Sequence, residues 1–334
     1  MKIREITRDK QATGRFLIEE SQYKTAKNGK PFISMKLVDA TGEINMKIWD
    51  ANEELFRSFP PGRILEITGI SAREFNQQLQ LELDGKQAEG LRLLSEHEID
   101  YAEFFPTAIQ DREEIWEKLK EMVGSVQEPH LKALLEAFYG DEKFCAAFRK
   151  FPAALKRHHV YIGGLLEHTY GVASLCLAAV EIYPGIDRDL LLAGALLHDI
   201  GKVRTYEISR TFEGTDEGKL IGHLLLGVEM VGEKIGMMSS KGWIMPEENR
   251  LKLLHLLISH HGIMEWGSPV EPLFLEGCLL HHADNMDAQA AKFLAAMRNH
   301  DPVSGKWTAF DASLGRSVYI GSGWVERETA GGEE

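Results

Sequence analysis

The sequence predicts a chain of two parts, a small N-terminal β-barrel followed by an all-helical domain. Three observations indicate this division. Residues 1–95 alternate apolar and polar side chains, which is typical of half-buried strands. From about residue 111, apolar side chains recur three and four positions apart, which is typical of amphipathic helices. The length of 334 residues favours two domains, and a hydrophobic content of 44% suffices for buried cores.

Five strands are predicted in the first part, separated by turn-forming residues. In the second strand Ile33, Met35 and Leu37 occupy alternate positions, and Asp39-Ala40-Thr41-Gly42 then supplies a turn into the third strand. Five strands with a short helix between the third and fourth resemble an OB-fold, a small barrel that commonly binds single-stranded nucleic acid. The predicted strands are residues 14–21, 32–39, 43–50, 64–70 and 79–83, with the helix at residues 52–58.

The second and third strands carry a candidate nucleic-acid surface on the face opposite their apolar side chains. Aromatic rings are stacking platforms for unpaired bases, and lysines can contact phosphates. Two structural alternatives stay open here, since Trp49 could pack against the short helix and Phe32 could cap the barrel. The candidate residues are Phe32, Lys36, Lys47 and Trp49.

The second half of the chain holds an ordered series of metal-binding side chains. Neutral imidazoles with a few carboxylates suit a hydrolytic site for two divalent transition-metal ions. The adjacent pair His198-Asp199 is its centre, because a carboxylate has two oxygens and can bridge two ions while the neighbouring imidazole holds one of them. The series is His168, His198-Asp199, His223, His260-His261 and Asp284.

Clustering distinguishes these histidines from ordinary structural ones. A single histidine more often packs or hydrogen-bonds than binds metal, but ten of the thirteen lie between His158 and His282. Burying them in apolar helical sequence without compensation would be costly, and a shared metal centre satisfies them together. Helices are predicted at residues 111–123, 166–183, 189–200, 251–261 and 273–297, with helical sequence continuing to about Ser313 and Gly201 ending the helix that carries the His-Asp pair.

The ordered series resembles the HD-domain superfamily of metal-dependent phosphohydrolases, an all-helical fold named for its His-Asp pair. The ligands that the resemblance implies for one ion are His168, His198, Asp199 and Asp284. Those implied for a second ion are Asp199, His223 and His260, with Asp199 bridging. Lys202, in the arrangement His-Asp-x-x-Lys, would contact a phosphate oxygen. Only one of His260 and His261 need be a ligand, and the other could face substrate.

Two longer strings resemble the YhaM-type 3′→5′ exoribonucleases. They are Arg-His-His-Val-Tyr-Ile-Gly-Gly-Leu-Leu-Glu-His-Thr at residues 157–169 and Ile-Ser-His-His-Gly at residues 258–262. With the N-terminal barrel, the resemblance spans roughly residues 10–315. It implies hydrolysis of single-stranded RNA, with single-stranded DNA as a second candidate, to nucleoside 5′-monophosphates. Mn²⁺ is the favoured ion, and Fe²⁺ or Co²⁺ suits the same ligands. Asp199, Lys202 and His261 are the candidate catalytic residues, and His159 is a further candidate in the first string.

Two alternatives are retained. One is a phosphodiesterase or nucleotidase acting on a small or cyclic nucleotide, with the barrel used for assembly or regulation. The cyclic-dinucleotide branch of HD enzymes normally has Gly-Tyr-Pro after the His-His pair, whereas Gly-Ile-Met-Glu-Trp-Gly follows at residues 262–267. The other is a nucleic-acid-binding protein with a vestigial metal centre, which the intact series of ligands argues against.

Composition bounds the remaining expectations. The net charge of −13 is uneven, since residues 1–95 hold 15 basic and 14 acidic residues and the rest 23 basic and 37 acidic, so a high-affinity duplex partner is not expected. The sequence predicts a cytoplasmic protein with no membrane partner, because its three cysteines are far apart and it has neither a signal peptide nor a stretch of about 18 apolar residues. A homo-oligomer is compatible with the sequence. The predicted domains are residues 1–95 (barrel), 96–110 (linker), 111–313 (helical domain) and 314–334 (C-terminal tail).

Overall fold

The computed structural model of the chain divides into two compact units. Residues 1–107 with residues 208–213 form the first, and residues 108–207 with residues 214–334 form the second. The predicted linker lies largely outside the described residues, so its boundaries stay predictions, and His159 also lies outside them. The described residues are 1–8, 10–75, 78–95, 98–99, 104, 111–154, 161–208, 212–298, 300 and 305–321.

The first unit is a closed β-barrel, which confirms the predicted OB-like fold. Strand β1 pairs with both β2 and β4, and β3 pairs with β5 in parallel, so the order β1-β2-β3-β5-β4 closes on itself. Two register shifts in β1, next to Ile18 and Gly14, let this long strand bend around the barrel. The elements are β1 Gln11–Thr25, β2 Pro31–Asp39, β3 Gly42–Trp49, α1 Glu53–Ser58, β4 Ile64–Phe75, β5 Gln78–Asp84 and β6 Leu91–Leu93.

The alternation predicted for β2 and β3 is confirmed by burial. Ile33, Met35 and Leu37 are buried in the barrel core, as are Ile44, Met46 and Ile48 of the facing strand. Because successive side chains of a strand point to opposite faces, this burial places the remaining side chains of the hairpin on the outer face. The three-residue strand β6, which pairs with β4, was not predicted, since so short a segment shows no period.

The second unit is a helical bundle built around α5 and α6. Every residue of α6 from Leu190 to Leu197 is buried, because α2, α3, α5, α10 and α11 all pack against this helix. The helices are α2 Arg112–Gly124, α3 Pro129–Tyr139, α4 Glu142–Phe148, α5 Gly164–Ile182, α6 Arg188–Leu197, α7 Lys202–Thr205, α8 Asp216–Leu220, α9 His223–Ser239, α10 Glu247–Ser259 and α11 Leu275–Arg298. Between α7 and α8 the chain forms two paired strands, β7 Tyr206–Ile208 and β8 Phe212–Gly214, whose residues from 208 to 213 belong to the first unit.

The helical sequence ends earlier than predicted. Helix α11 ends at Arg298, whereas continuation to about Ser313 was expected. Pro302 and Gly305 interrupt the helical pattern in this region. Leu314 and Val318 are buried against Ala296, so these two residues pack on the helical unit. The boundary at residue 314 stays a prediction.

Helix α5 also corrects an expectation about apolar length. By length and composition alone, Gly164–Ile182 is apolar enough to cross a membrane. It carries the buried polar side chain His168 and packs against α2, α6 and α11. These contacts are those of a core helix in a helical domain.

Candidate metal centre and adjoining cleft

All six predicted metal ligands converge at one point of the helical unit. Five helices supply them, so the site forms only when the bundle is folded. Two of the histidines, His198 and His260, stand immediately after the last residue of a helix. The ligands are His168 on α5, His198 and Asp199 after α6, His223 at the start of α9, His260 after α10 and Asp284 on α11.

Asp199 lies at the centre, and its two oxygens face different donors. On one side, Oδ2 lies 3.3 Å from Nε2 of both His168 and His198. On the other side, Oδ1 lies 3.5 Å from Nε2 of His223 and 3.8 Å from Nε2 of His260. A carboxylate placed in this way can contribute one oxygen to each of two ions.

The first group of donors is compact. Nε2 of His168 lies 3.2 Å from Nε2 of His198 and 3.1 Å from Oδ1 of Asp284. In the second group, one ligand atom from each of His223, His260 and His261 lies within 4.8 Å of the others. His261 is therefore within reach of the second group together with His260.

Backbone carbonyls fix how several of these rings are protonated. The Nδ1–H group of His198 donates to the Ala195 carbonyl at 2.8 Å, and that of His260 donates to the Leu257 carbonyl at 2.9 Å. A carbonyl can only accept, so in the neutral ring the proton is on Nδ1 and the Nε2 lone pair faces the site. His261 has the same arrangement with the carbonyl of Trp266, at 2.9 Å.

The donor set fits divalent transition-metal ions. Within the described part of the chain, Oδ1 of Asp199 and Nε2 of His223 are buried without a hydrogen-bond partner. Leaving buried polar atoms unsatisfied costs about 1–3 kcal/mol each. These two atoms face each other across the second group, where a cation would satisfy both. Imidazole and carboxylate donors suit Mn²⁺, Fe²⁺, Co²⁺ or Zn²⁺.

Burial and charge set the protonation of the histidines. Burial lowers the pKa of His223 to about 3 and lowers that of His260 well below its ordinary value, so both rings are neutral. Burial also opposes charge on His168, but its hydrogen bonds to three carboxylates outweigh burial and raise its pKa. Metal binding at Nε2 of His168 would therefore release a proton.

Lys202 is a buried cation at the same centre. Its Nζ donates to Oδ2 of Asp199. Burial disfavours the charge on each group, but their mutual attraction prevails, so the pKa of Asp199 is well below its ordinary value and that of Lys202 is raised. Lys202 also lines the adjoining cleft, which is where a phosphate contact requires it.

The chain between His198 and Lys202 passes unusually close to α9. A Cβ atom on Gly201 would lie 1.9 Å from the carbonyl oxygen of His223 and 2.6 Å from the amide nitrogen of Gly227. The φ of Gly201 is −59°, so its backbone conformation would suit any residue. Helix α6 ends at Leu197 and α7 begins directly after Gly201, so the prediction that this glycine ends the helix is wrong. Glycine is required at this position by the space that α9 occupies.

Asp287 is a site residue that the sequence did not reveal. Its Oδ2 accepts a hydrogen bond from Nδ1 of His168 at 2.6 Å, which directs Nε2 of that ring toward Asp199. Gly171 makes room for it, because a Cβ there would lie 2.2 Å from Oδ1 of Asp287. A signal was present, since Asp287 follows Asp284 by three positions and so shares its helix face.

Replacing Asp287 with asparagine should weaken metal binding without removing any ligand. A carboxylate hydrogen-bonded to a ligating histidine contributes about 10–100-fold in metal affinity or activity. Gly171→Ala should give a similar loss by displacing the same carboxylate. Mn²⁺ affinity measured by titration calorimetry checks both variants.

Gly236→Ala is the control for that pair, since nothing lies within 4 Å of the Cβ position on this helical glycine. It should bind Mn²⁺ like the wild type. Wild-type affinity in Asp287→Asn would show that the aspartate does not orient His168.

A cleft of about 310 Å³ opens beside the metal centre. It has access to Asp199, Lys202, His260, His261 and Asp284. Its volume is at the lower end of the range of roughly 300–1,000 Å³ typical of small-ligand sites. The other lining residues are Trp266, His281, Asn285, Ala288, Gln289 and Lys292.

The structure brings together three of the four candidate residues on the barrel. Phe32 and Trp49 are cross-strand partners with ring centroids 4.9 Å apart. The Lys47 ammonium lies 5.4 Å from the Trp49 ring and 4.7 Å from the ring of Phe75, an exposed residue that the sequence did not reveal. Lys36 is engaged elsewhere, by ion pairs with two glutamates at 2.8 and 2.7 Å.

Comparison with known proteins covers most of the chain. A model of the HD domain family matches residues 165–289, which include all six candidate ligands. 3′-5′ exoribonuclease YhaM of Oceanobacillus iheyensis is 37% identical over 292 residues, covering 86% of this chain and 87% of that protein. The protein of the same description from Bacillus subtilis is 33% identical over 274 residues, covering 82% of this chain and 83% of its own length.

Among solved structures, the second OB-fold domain of replication protein A from Methanococcus maripaludis aligns with 29% of this chain and 95% of its own. The identity is 17% and the TM-score 0.22. The identification of the barrel rests on its own strand order.

Proposed function

The chain belongs to the YhaM family of 3′-5′ exoribonucleases, and on that premise we propose that it hydrolyses single-stranded RNA from the 3′ end. The product is a nucleoside 5′-monophosphate at each step. Mn²⁺ is the proposed ion, and the cytoplasm the proposed compartment. All three cysteines are unpaired thiols, in keeping with a reducing compartment.

The position of Asp199 carries this proposal. Its two oxygens face two groups of imidazoles, and the same carboxylate opens onto the cleft. The imidazoles and carboxylates that would hold the ions therefore lie beside the space that a phosphodiester would occupy in the cleft. Two ions held in this way activate water and stabilise the attacking and leaving oxygens of an in-line displacement.

The protein's own groups have distinct tasks in that reaction. Lys202 presents a buried positive charge to the cleft, which stabilises negative charge on the phosphoryl oxygens. His261 is less buried than His260 and also lines the cleft. The bond from His261 Nδ1 to the Trp266 carbonyl directs its Nε2 to the site. There the lone pair of the neutral ring can bind the second ion, whereas only the doubly protonated ring can give a proton to the leaving 3′ oxygen.

The barrel supplies a candidate surface for the rest of the strand. Phe32, Lys47, Trp49 and Phe75 combine aromatic rings with a positive charge. Such surfaces bind single strands with little sequence preference, because every base has a π-face. Lys36 belongs to the proposal only through its place on the same strand, since two glutamates already neutralise its charge.

The direction of hydrolysis tests the proposed function directly. RNA labelled at its 5′ end should shorten in a ladder, whereas RNA labelled at its 3′ end should release labelled mononucleotide from the first turnover. Blocking the 3′ hydroxyl with a bulky group should stop both reactions. Cleavage of circular RNA, or hydrolysis of a cyclic dinucleotide with none of linear RNA, would instead support the small-nucleotide phosphodiesterase.

Trp49→Ala tests the barrel surface. Stacking contributes on the order of 1–3 kcal/mol per base, so affinity for a long single strand should fall about tenfold. Fluorescence anisotropy with chelator present measures binding without hydrolysis. Hydrolysis of a dinucleotide should be unchanged, since the residues that line the cleft belong to the helical unit.

Tyr183→Ala is the matched control for Trp49→Ala, because Tyr183 is an exposed aromatic residue of the helical unit. Its affinity for the long strand should equal that of the wild type. If Trp49→Ala also binds the long strand with wild-type affinity, the barrel surface does not bind substrate.

A further inference from the structure

One wall of the cleft is a polar face of α11 that continues beyond the metal ligand Asp284. Asn285 and Gln289 are one helical turn apart, and Nε2 of Gln289 donates to Oδ1 of Asn285 at 3.3 Å. Carboxamides offer both donors and acceptors, and they pair with hydroxyls and base edges. Neither residue has a role in the centre described above, although both line its cleft.

Another residue of the cleft lining is an exposed tryptophan. Trp266 is 52% exposed although it lines a cleft. It ends a one-turn 3-10 helix, Met264–Trp266, that begins three residues after His261. An exposed indole beside a polar, cation-binding centre is suited to stacking on a flat ring.

The segment that presents Trp266 is fastened to the centre at two points. The carbonyl of Trp266 accepts a hydrogen bond from Nδ1 of His261. The carbonyl of His260 accepts one from Nδ1 of His281 at 2.9 Å. Gly262 has φ of +81°, and a Cβ there would lie 2.3 Å from the His281 ring. The His281 ring is in turn 5.9 Å from the Trp266 ring, so Trp266 is held in a defined position relative to the ligands.

We propose that Trp266 and the Asn285–Gln289 face form the subsite for the 3′-terminal nucleoside of the substrate. Trp266 stacks on the terminal base, and Asn285 hydrogen-bonds the hydroxyls of its ribose. This assignment rests on the proposed function and adds the residues that bind the nucleoside beside the scissile phosphate. Stacking discriminates little among bases, so the enzyme should accept all four at the 3′ end.

Binding of adenosine 5′-monophosphate in the presence of Mn²⁺ tests the subsite separately from hydrolysis. By titration calorimetry, Trp266→Ala should bind the nucleotide about tenfold more weakly, while Trp266→Phe, which keeps a stacking ring, should stay within about threefold of the wild type. The affinity for inorganic phosphate should be the same in all three proteins. Trp307→Ala, which replaces an exposed tryptophan outside the cleft lining, should behave like the wild type in both titrations.

The proposed contact between Asn285 and the ribose is tested by comparing a ribonucleotide with its 2′-deoxy counterpart. Wild-type protein should bind adenosine 5′-monophosphate more tightly than its 2′-deoxy counterpart, and Asn285→Ala should lose that preference. In steady-state hydrolysis of short RNA, Trp266→Ala should raise KM with little change in kcat, as expected for lost uniform binding.

The outcomes separate the two hypotheses. If the wild type degrades RNA from the 3′ end but Trp266→Ala keeps its KM and its nucleotide affinity, the subsite is wrong and the proposed function stands. If Trp266→Ala loses affinity for nucleotide and for inorganic phosphate equally, the variant has damaged the metal centre and the stacking role is overturned. If the wild type binds the nucleotide but leaves linear RNA intact, the proposed function fails while the nucleoside subsite survives.

Discussion

Replacing Asp199 with asparagine is expected to abolish hydrolysis. The carboxylate faces both groups of imidazoles, and an amide cannot give a negatively charged oxygen to each side. Removing one preorganised group that stabilises charge costs hydrolases about 10²–10³ in rate, and loss of both metal positions should exceed that. Turnover of labelled RNA and the metal content of the purified protein measure the effect. Asp216→Asn, which removes an exposed carboxylate in the same unit, is the control.

The effect of Asp199→Asn on the stability of the protein must be measured separately from its effect on hydrolysis. Asp199→Asn leaves Lys202 buried without its anion, and breaking a buried ion pair costs about 3–5 kcal/mol. The double variant Asp199→Asn/Lys202→Met removes both charges and should recover much of the lost Tm while remaining inactive. Wild-type activity or metal content in a folded Asp199→Asn protein would contradict the bridging role.

Gly201→Ala should be the most damaging substitution that alters no polar group. The added methyl would meet backbone atoms of His223 and Gly227, which cannot turn aside as a side chain can. Overpacking typically costs about 1–3 kcal/mol, and a backbone clash belongs at or above the upper end. Because α9 begins at His223, its displacement should also withdraw Nε2 of that residue from Asp199. Lower Tm and loss of metal from the second group are the expected results.

Gly227→Ala is the matched control for Gly201→Ala. The two glycines face each other, but a Cβ on Gly227 would meet its nearest neighbours at 3.6 Å or beyond, which is ordinary contact. Alanine also favours a helix over glycine by about 0.5–1 kcal/mol. Gly227→Ala should therefore keep its metal and match or exceed the wild-type Tm. Equal behaviour of the two variants would show that the close approach at Gly201 does not position His223.

Most residues of the candidate metal centre could be predicted from the sequence, because several of them are neighbours along the chain. His198 and Asp199 are adjacent, as are His260 and His261, and each pair ends an apolar helical segment. The hairpin of the barrel was equally visible, since its inward residues alternate and its turn has the expected residue types. These features depend on neighbours along the chain, and the structure places them accordingly.

Other features depend on tertiary contacts, and the sequence gives only a weak signal for them. Asp287 approaches His168 from 119 positions away, and Gly171 matters only because that carboxylate lies against it. Gly201 has an ordinary helical conformation, so only the position of α9 explains why it is glycine. The packing of Leu314 and Val318 on Ala296 likewise could not be predicted, because no periodic sequence pattern accompanies it.

The shared carboxylate of Asp199 has a consequence for how the centre fills. A cation held on the Oδ2 side would draw negative charge from the same carboxylate that the Oδ1 side presents to His223 and His260, so the affinities of the two sides would be thermodynamically linked. Linkage is reciprocal, and whatever factor the first ion imposes on the second, the second imposes on the first. If both groups hold an ion, as proposed, the two positions should load as one coupled unit, and the loading curve should depart from the sum of two independent isotherms.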